Sequence, residues 1–270
     1  MKILYYDCFS GISGDMNLAA MVDLGVPKEY LIEELKKLNI NDEYELNITR
    51  EVKNGIAGTK VNVILKPHHH HNENHGEHNE HNLHHHEENN HHHHRNLKDI
   101  EEIIKNSSLK EKVKNLSLSI FKIVAEAEAR VHNKELYEVH FHEVGATDSI
   151  IDIVGAAICC DYLDVEEIFC STVEVGSGFV HCAHGVLPVP APATVEILKD
   201  IPIRKGNVPF EATTPTGAAI LKSLVKEFTD KEEFKVLRVG YGIGYKDFDK
   251  IPNVLRVFIA EKEEKKNSVL

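Results

Sequence analysis

Cysteine is scarce and poorly spaced for cross-linking. The five thiols (Cys8, Cys159, Cys160, Cys170 and Cys182) form no C-x-x-C pair and no disulfide ladder, a usage that fits a reducing cytoplasm. Long apolar runs are missing too: none approaches the roughly 18 residues that a membrane span needs. The start, MKILYYDCFSG, lacks the apolar stretch and cleavage site of a secretory signal. Basic charge is in deficit, with 31 Lys and Arg against 43 Asp and Glu and a net charge of −12. That balance argues against a general nucleic-acid-binding surface. What remains is a soluble-type chain of 270 residues, 42% hydrophobic, long enough to bury one sizeable core or two small ones.

Histidine is abundant and unevenly placed. Of 19 histidines, 14 lie between His68 and His94, mixed with Asn, Glu and Gly; the others are His132, His140, His142, His181 and His184. Residues 67–95 hold almost nothing apolar apart from Leu83, so the tract cannot offset its own ordering entropy and is expected to be a disordered insertion. It divides the chain into an N-terminal αβ segment (1–66), the insertion (67–95), the remainder of an αβ core (96–260) and a charged tail (261–270).

Around the insertion, strand and helix patterns interleave. A strand over Lys2 to Tyr6 runs through a glycine-containing loop into a helix from about Asp15 to Leu24, stopped by Gly25 and Pro27. A second helix spans Pro27 to Leu38. Tyr44, Leu46 and Ile48 alternate with polar residues, as do Val61, Val63 and Leu65, which predicts an antiparallel pair about a turn at Gly55 to Gly58. Helical spacing returns from Leu116 to Val131. A short strand over Glu138 to His142 is expected, then a helix from Thr147 to about Leu163 and extended chain from Ile168 to Val175. Helices near Pro192 to Leu198 and Pro215 to Phe228, with strands over Phe234 to Val239 and Val254 to Ala260, complete the pattern. The fold class is α/β or α+β, a mixed sheet with flanking helices.

Several constellations can carry chemistry. Neutral imidazole suits Ni, Zn, Cu and Fe. A floppy ribbon holding His68, His69, His70, His71, His84, His85, His86, His91, His92, His93 and His94 can wrap such an ion, and metal capture is favoured over neutral filler. A disordered segment cannot preorganise a reaction, so its role is storage or delivery. In HFHEVGATDSIID, His140 and His142 share one face of an extended segment, and Asp148 and Asp152 share one face of the helix that follows. Two imidazoles and two carboxylates can then converge on a divalent metal or an acid–base site. Spacing alone is equally consistent with surface histidines, Asp148 as first-turn dipole compensation and Asp152 in water.

The loop DCFSGISGD offers backbone N–H groups over Ser10, Gly11, Ser13 and Gly14, with Asp15 opening a helix: a candidate phosphate cradle, or an ordinary strand–turn–helix joint. In GSGFVHCAHGVLPVPAPAT, His181 and His184 flank Cys182, a soft-plus-imidazole clip or a rigid loop. TTPTG (Thr213 to Gly217) places Pro215 at a helix start. Gly240, Gly242 and Gly244 form a G-x-G-x-G run with no helix pattern behind it, which rules out a dinucleotide fingerprint there.

Taken in order, YYDCFSGISGDM, VHFHEVGATDSIIDIVG, AHGVLPVPAPAT, TPTGAAIL and YGIGYKDFDKIPNVLRV, together with the histidine-rich insertion, resemble the LarC nickel-insertion family over nearly all of residues 1–260. The resemblance implies a nickel chelatase or cyclometallase of the lyase class. Its substrate would be pyridinium-3,5-bisthiocarboxylic acid mononucleotide, converted with Ni(II) to the nickel-pincer nucleotide at the expense of CTP. CTP with Mg(II) is expected to bind in a C-terminal domain that family members carry beyond PNVLRV. Here about ten residues follow Ala260, so that domain is expected outside this chain, with a separate CTP-binding polypeptide as one way to supply it. Within that frame His140, His142, Glu143 and Asp148 are the candidate ligands or proton acceptors. Ser10 to Asp15 are the candidate cradle for the 5′-phosphate. A nickel store or metallochaperone without chemistry of its own is the alternative.

Overall fold

A computed structural model of the chain describes residues 1–66, 95–139, 141, 145–182 and 185–263. The first half comprises β1 (Lys2–Asp7), α1 (Gly14–Leu24), α2 (Lys28–Lys36), β2 (Tyr44–Lys53), β3 (Ile56–Leu65), α3 (Leu97–Asn106), α4 (Glu111–His132), a single 3₁₀ turn (Leu136–Glu138) and α5 (Thr147–Leu163). The second comprises β4 (Glu167–Cys170), β5 (Val173–Glu174), β6 (Phe179–Cys182), β7 (Gly185–Pro188), α6 (Pro192–Ile197), β8 (Ile203–Arg204), α7 (Pro215–Leu224), β9 (Glu227–Phe228), β10 (Lys235–Ile243) and β11 (Val254–Glu261).

Seven strands form one mixed sheet in the order β2-β3-β10-β11-β1-β4-β9. β1 is parallel to β4 and antiparallel to β11, so the first and last strands of the described chain lie side by side. Successive side chains of a strand point to opposite faces. On β1, Leu4 and Tyr6 therefore enter the main core beneath the helices, while Ile3 and Tyr5 join a smaller cluster with Phe169 and Ala260 on the reverse face. Both faces of β1 are buried, which is why its sequence KILYYD runs apolar rather than alternating. The expected β2–β3 hairpin is present, paired from Tyr44–Leu65 to Lys53–Ile56.

The glycine run is explained by packing. Gly240 and Gly242 lie within β10, and a Cβ there would sit 2.4 Å from the Ala20 carbonyl oxygen and 2.0 Å from that of Met16. Their missing side chains let the backbone of α1 lie directly on the strand. β10 meets β3 at one register position, Gly242 to Thr59. Asp23 reinforces that narrow junction by accepting from the Tyr241 amide (2.9 Å), the Thr59 hydroxyl (3.0 Å) and the Arg50 guanidinium.

Two local expectations change. Glu138 closes a 3₁₀ turn instead of opening a strand, and no partner strand lies beside Val139 and Phe141 among the described residues. Both side chains are nonetheless buried at 1% exposure, which fixes this stretch by its apolar contacts. The last helix ends at Leu224 rather than Phe228, because Glu227 and Phe228 pair with Phe169 and Cys170 as β9. α3, opened by a reciprocal Asn96–Asp99 capping box, is an element that the periodicity did not reveal.

Candidate functional site

Three of the sequence constellations meet in space. The loop after β1 turns at Gly11 (φ +82°), whose amide donates to the Cys8 carbonyl at 3.1 Å. A Cβ at Gly11 would lie 2.0 Å from the Ala212 carbonyl oxygen, and Ile12 bridges Thr213 in parallel register. The Thr214 amide then donates to the Ile12 carbonyl at 3.1 Å. The Ser10 to Gly14 loop and the TTPTG segment thus form one seam. Ser10, Gly11, Ile12 and Gly14 are buried within it, whereas Ser13 and Asp15 reach partly to solvent. That burial narrows the proposed phosphate cradle to its Ser13–Asp15 end.

α5 completes the site from the other side. A Cβ on Gly14 would meet the Asp152 Oδ2 at 2.3 Å, so glycine here makes room for a carboxylate. Asp15 Oδ1 accepts from the Ser13 hydroxyl at 2.5 Å. Asp15 Oδ2 and Asp152 Oδ1 are both withdrawn from water and have no hydrogen-bond partner among the described residues. Burial pushes the Asp15 carboxyl up, opposed by the Ser13 hydroxyl, nearby amides and the Lys60 ammonium. Burial pushes Asp152 well above the ordinary carboxylate range, and the charges of Asp15 and Asp148 push it further. Asp152 is therefore not a solvated helix residue but one member of a carboxyl pair that favours its protonated form.

Lys60 and Tyr245 form the neighbouring wall. The Lys60 ammonium lies 4.8 Å from the Tyr245 ring centroid, and the Tyr245 hydroxyl donates to Asn62 Oδ1 at 2.5 Å. Burial, followed by the charges of Asp15, Asp152 and Asp148, pushes this phenol up to about 12. Sequence reading missed both residues, because nothing local ties β3 or the β10–β11 loop to α1.

A second missed cluster sits at the start of α5. Arg95 donates through Nη2 to Glu43 Oε1 (2.5 Å) and through Nη1 to the Thr147 hydroxyl (3.0 Å), and that hydroxyl donates to Glu43 Oε2 (2.6 Å). The Lys66 amide donates to the Glu43 carbonyl at 2.9 Å. Both chain ends bordering residues 67–94 are therefore fastened to Glu43, next to the turn that carries Asp148. The signal was hidden because Arg95 and Thr147 are 52 residues apart.

The remaining expectations divide plainly. His140, His142, Glu143 and His184, and the tract from His68 to His94, lie outside the described residues. Asp148 is half-buried in the first turn of α5, where its charge raises Asp152. His181 is exposed on β6 opposite Val186, in a two-stranded sheet separate from the main one, while Cys182 beside it is half-buried. No group of three or more His, Cys, Asp or Glu side chains is arranged to hold a metal ion among the described residues. No helix among them is long and apolar enough to cross a membrane.

Comparison with known proteins puts these features in a family. The chain is 67% identical to the pyridinium-3,5-bisthiocarboxylic acid mononucleotide nickel insertion protein of Clostridium acetobutylicum, over 97% of this chain and 65% of that protein. The proteins of the same name from Clostridium kluyveri and Geobacillus kaustophilus are 62% and 47% identical, each over 97% of this chain and over 63% and 60% of their own lengths. The chain thus spans a little under two thirds of the relatives it matches. No solved structure matches it. A family model described as nickel insertion protein matches residues 4–270, and the chain belongs to that family.

Proposed function

We propose that this chain handles nickel in the insertion of Ni(II) into pyridinium-3,5-bisthiocarboxylic acid mononucleotide, as a nickel chelatase of the lyase type. The observation that carries the reading is the 67% identity to a relative of that name across almost the whole chain. It is supported by the packing of the Ser13–Asp15 loop end against Asp152, whose carboxyl also feels the charge of Asp148.

In this reading nickel is a substrate. The ribbon from His68 to His94 collects it, and because Lys66 and Arg95 are both held at Glu43, the ribbon's two ends stay beside the first turn of α5. His140, His142 and Glu143, just upstream of that turn, receive the ion together with Asp148. The Ser13–Asp15 end of the loop serves the 5′-phosphate end of the nucleotide, with Ser10 and Gly11 buried behind it as its support; His181 and His184 are secondary nickel contacts. Cyclometallation forms one nickel–carbon bond and two nickel–sulfur bonds, and the ring C–H proton must leave to a base. A carboxylate or imidazole of the His140–Asp148 segment accepts it. CTP with Mg(II) enters through the part of the relatives' length that this chain does not span, and the reaction takes place in the cytoplasm.

The test is mass spectrometry of the nucleotide after incubation with nickel, CTP and magnesium, using this chain together with the remaining portion of a relative. A nickel-containing product is expected, and it should vanish when His140 and His142 are replaced together by alanine. Absence of product with the intact chain overturns the reading; full yield from the double variant removes those two histidines from it.

A further inference from the structure

A nucleotide bearing a phosphate and two thiocarboxylates brings negative charge to its site at several points. The loop end assigned to the phosphate offers little to balance it, because the Ser13 hydroxyl is already donated to Asp15 and both Asp15 and Asp152 are carboxyls. Backbone amides at a helix start hold a phosphate, but a dianion is held better with a full positive charge beside them. Lys60 on β3 is a cation whose charge reaches Asp15.

A set of pinned contacts brings Lys60 and its neighbour Tyr245 to that place. The Gly244 amide donates to the Asn253 carbonyl at 2.9 Å, and the Lys246 amide donates to Asn253 Oδ1 at 3.0 Å. Asn253 is buried, with its Nδ2 3.7 Å from the Met16 Sδ, so the loop around Tyr245 is stapled to the residue after Asp15. From the other side Lys53 Nζ donates to the carbonyls of Gly244 (2.7 Å) and Lys246 (2.8 Å), and Asn54 Nδ2 donates to that of Phe248 (3.0 Å). Lys53 and Asn54 lie at the turn of the β2–β3 hairpin, which carries Lys60 opposite Thr49. The loop is fixed from both sides, yet Tyr245 is 54% exposed. A side chain that is both held in place and open to water suits contact with a ligand.

The Lys60 ammonium is positioned but weakly committed. Its contact with Glu51 Oε2 is 3.3 Å, longer than the roughly 2.7–2.9 Å of a strong charge-assisted bond, and the Glu51 side chain is 40% exposed. Ion pairs this open to water are weak. Neighbouring cations are more firmly engaged: Arg256 donates twice to Asp7, Arg50 pairs with the largely buried Asp23, and Lys53 holds two carbonyls. Lys60 can turn to an incoming anion without stranding a buried partner.

We propose that Lys60 is a substrate-binding residue whose ammonium pairs with the 5′-phosphate at the Ser13–Asp15 loop end, with the Tyr245 ring as its positioning residue. The inference rests on the function proposed above and adds the group that selects a nucleotide over its nucleoside.

Calorimetry on the full chain, with pyridinium-3,5-dicarboxylic acid mononucleotide and its phosphate-free riboside as probes, tests this. Lys60→Met keeps a stem of similar length without the charge. It should weaken mononucleotide binding about tenfold, the usual worth of a hydrogen bond to a charged group, and leave riboside binding unchanged. Lys60→Arg should restore most of the loss. Tyr245→Leu should narrow the preference for the phosphorylated probe while far-UV circular dichroism stays that of the parent. Lys36→Ala removes an exposed ammonium on α2 and should change neither affinity. Equal losses for both probes in Lys60→Met would mean that Lys60 serves the ring substituents or the fold, and the inference falls. Unchanged mononucleotide affinity in that variant also overturns it, while the nickel-insertion reading stands if mass spectrometry still finds nickel in the nucleotide. If the parent binds no nucleotide and yields no nickel product, both fall.

Discussion

At residue scale the informative groups are carboxyls with an oxygen turned away from water. Asp152 packs against Gly14, and burial first, then its acidic neighbours, push its carboxyl well above the ordinary carboxylate range. A carboxyl whose folded pKa is raised binds a proton more tightly in the folded than in the unfolded chain. Its contribution to stability is complete below the ordinary value of 3.8 and is lost as pH climbs through the raised value. Asp152→Asn keeps the shape and removes that titration. The variant is expected to be more stable than the parent at neutral pH, by on the order of 1–3 kcal/mol, with the difference shrinking toward pH 3.5. Thermal melts of both proteins across pH 3.5–8 check this; a variant less stable at pH 7 defeats it. Asp15 and Asp148 are legible as candidates from spacing alone, but whether Asp152 faced water or the interior was open, since i and i+4 residues share a face whichever way that face points.

Elements are governed by close approach and by a clasp between distant segments. Gly242→Val places a branched side chain where the Met16 carbonyl oxygen stands 2.0 Å away, so α1 must lift from β10. A loss of more than about 3 kcal/mol is expected, in line with overpacking at a backbone contact, and is read from urea unfolding or from absence of soluble protein. The Glu43–Arg95–Thr147 cluster is mostly buried, with Glu43 and Arg95 side chains each 13% exposed. Removing one partner leaves a charge without its counter-ion, so Glu43→Ala should cost roughly 3 kcal/mol, measurable by the same unfolding curve. Because both borders of the histidine tract meet at this clasp, replacing residues 67–94 with a short Gly-Ser linker should leave the melting temperature within a few degrees of the parent. The same variant should lose most of its nickel uptake by calorimetry; full retention would defeat the collector role. Strong periodicity made α1, α5 and the β2–β3 hairpin readable in advance. β8, β9 and the β6–β7 hairpin were not, because strands of two to four residues carry almost no period.

For the whole molecule, charge and histidine content bear on how nickel arrives. A net charge of −12 attracts a divalent cation over long range and does so less as salt screens it. Imidazole ligands must be neutral to bind, so nickel capture is expected to fall steeply as pH drops through about 6.5, where protons compete for the same nitrogens. Calorimetric titrations at pH 7.5 and 5.5 should differ by at least tenfold in affinity. The same affinity at both values would point to carboxylate ligands instead. The sheet closes with β1 between β11 and β4, which brings the family's early and late motifs to adjacent strands.

Composition and periodicity by themselves determined the class of fold, most helices, and the ordered series of motifs that places the chain in its family. These are local properties: a hydrophobic period, a proline at a helix start and a run of imidazoles are each written within a few residues. Only the tertiary structure decided that the Ser10–Gly14 loop and TTPTG form one seam, that Asp15 and Asp152 each turn one carboxyl oxygen away from water there, and that Lys66 and Arg95 are tied to the same glutamate. Those outcomes depend on contacts between residues tens to hundreds of positions apart. Such contacts are fixed by how apolar faces stack and where glycines permit backbones to touch, and no short window of sequence contains that information.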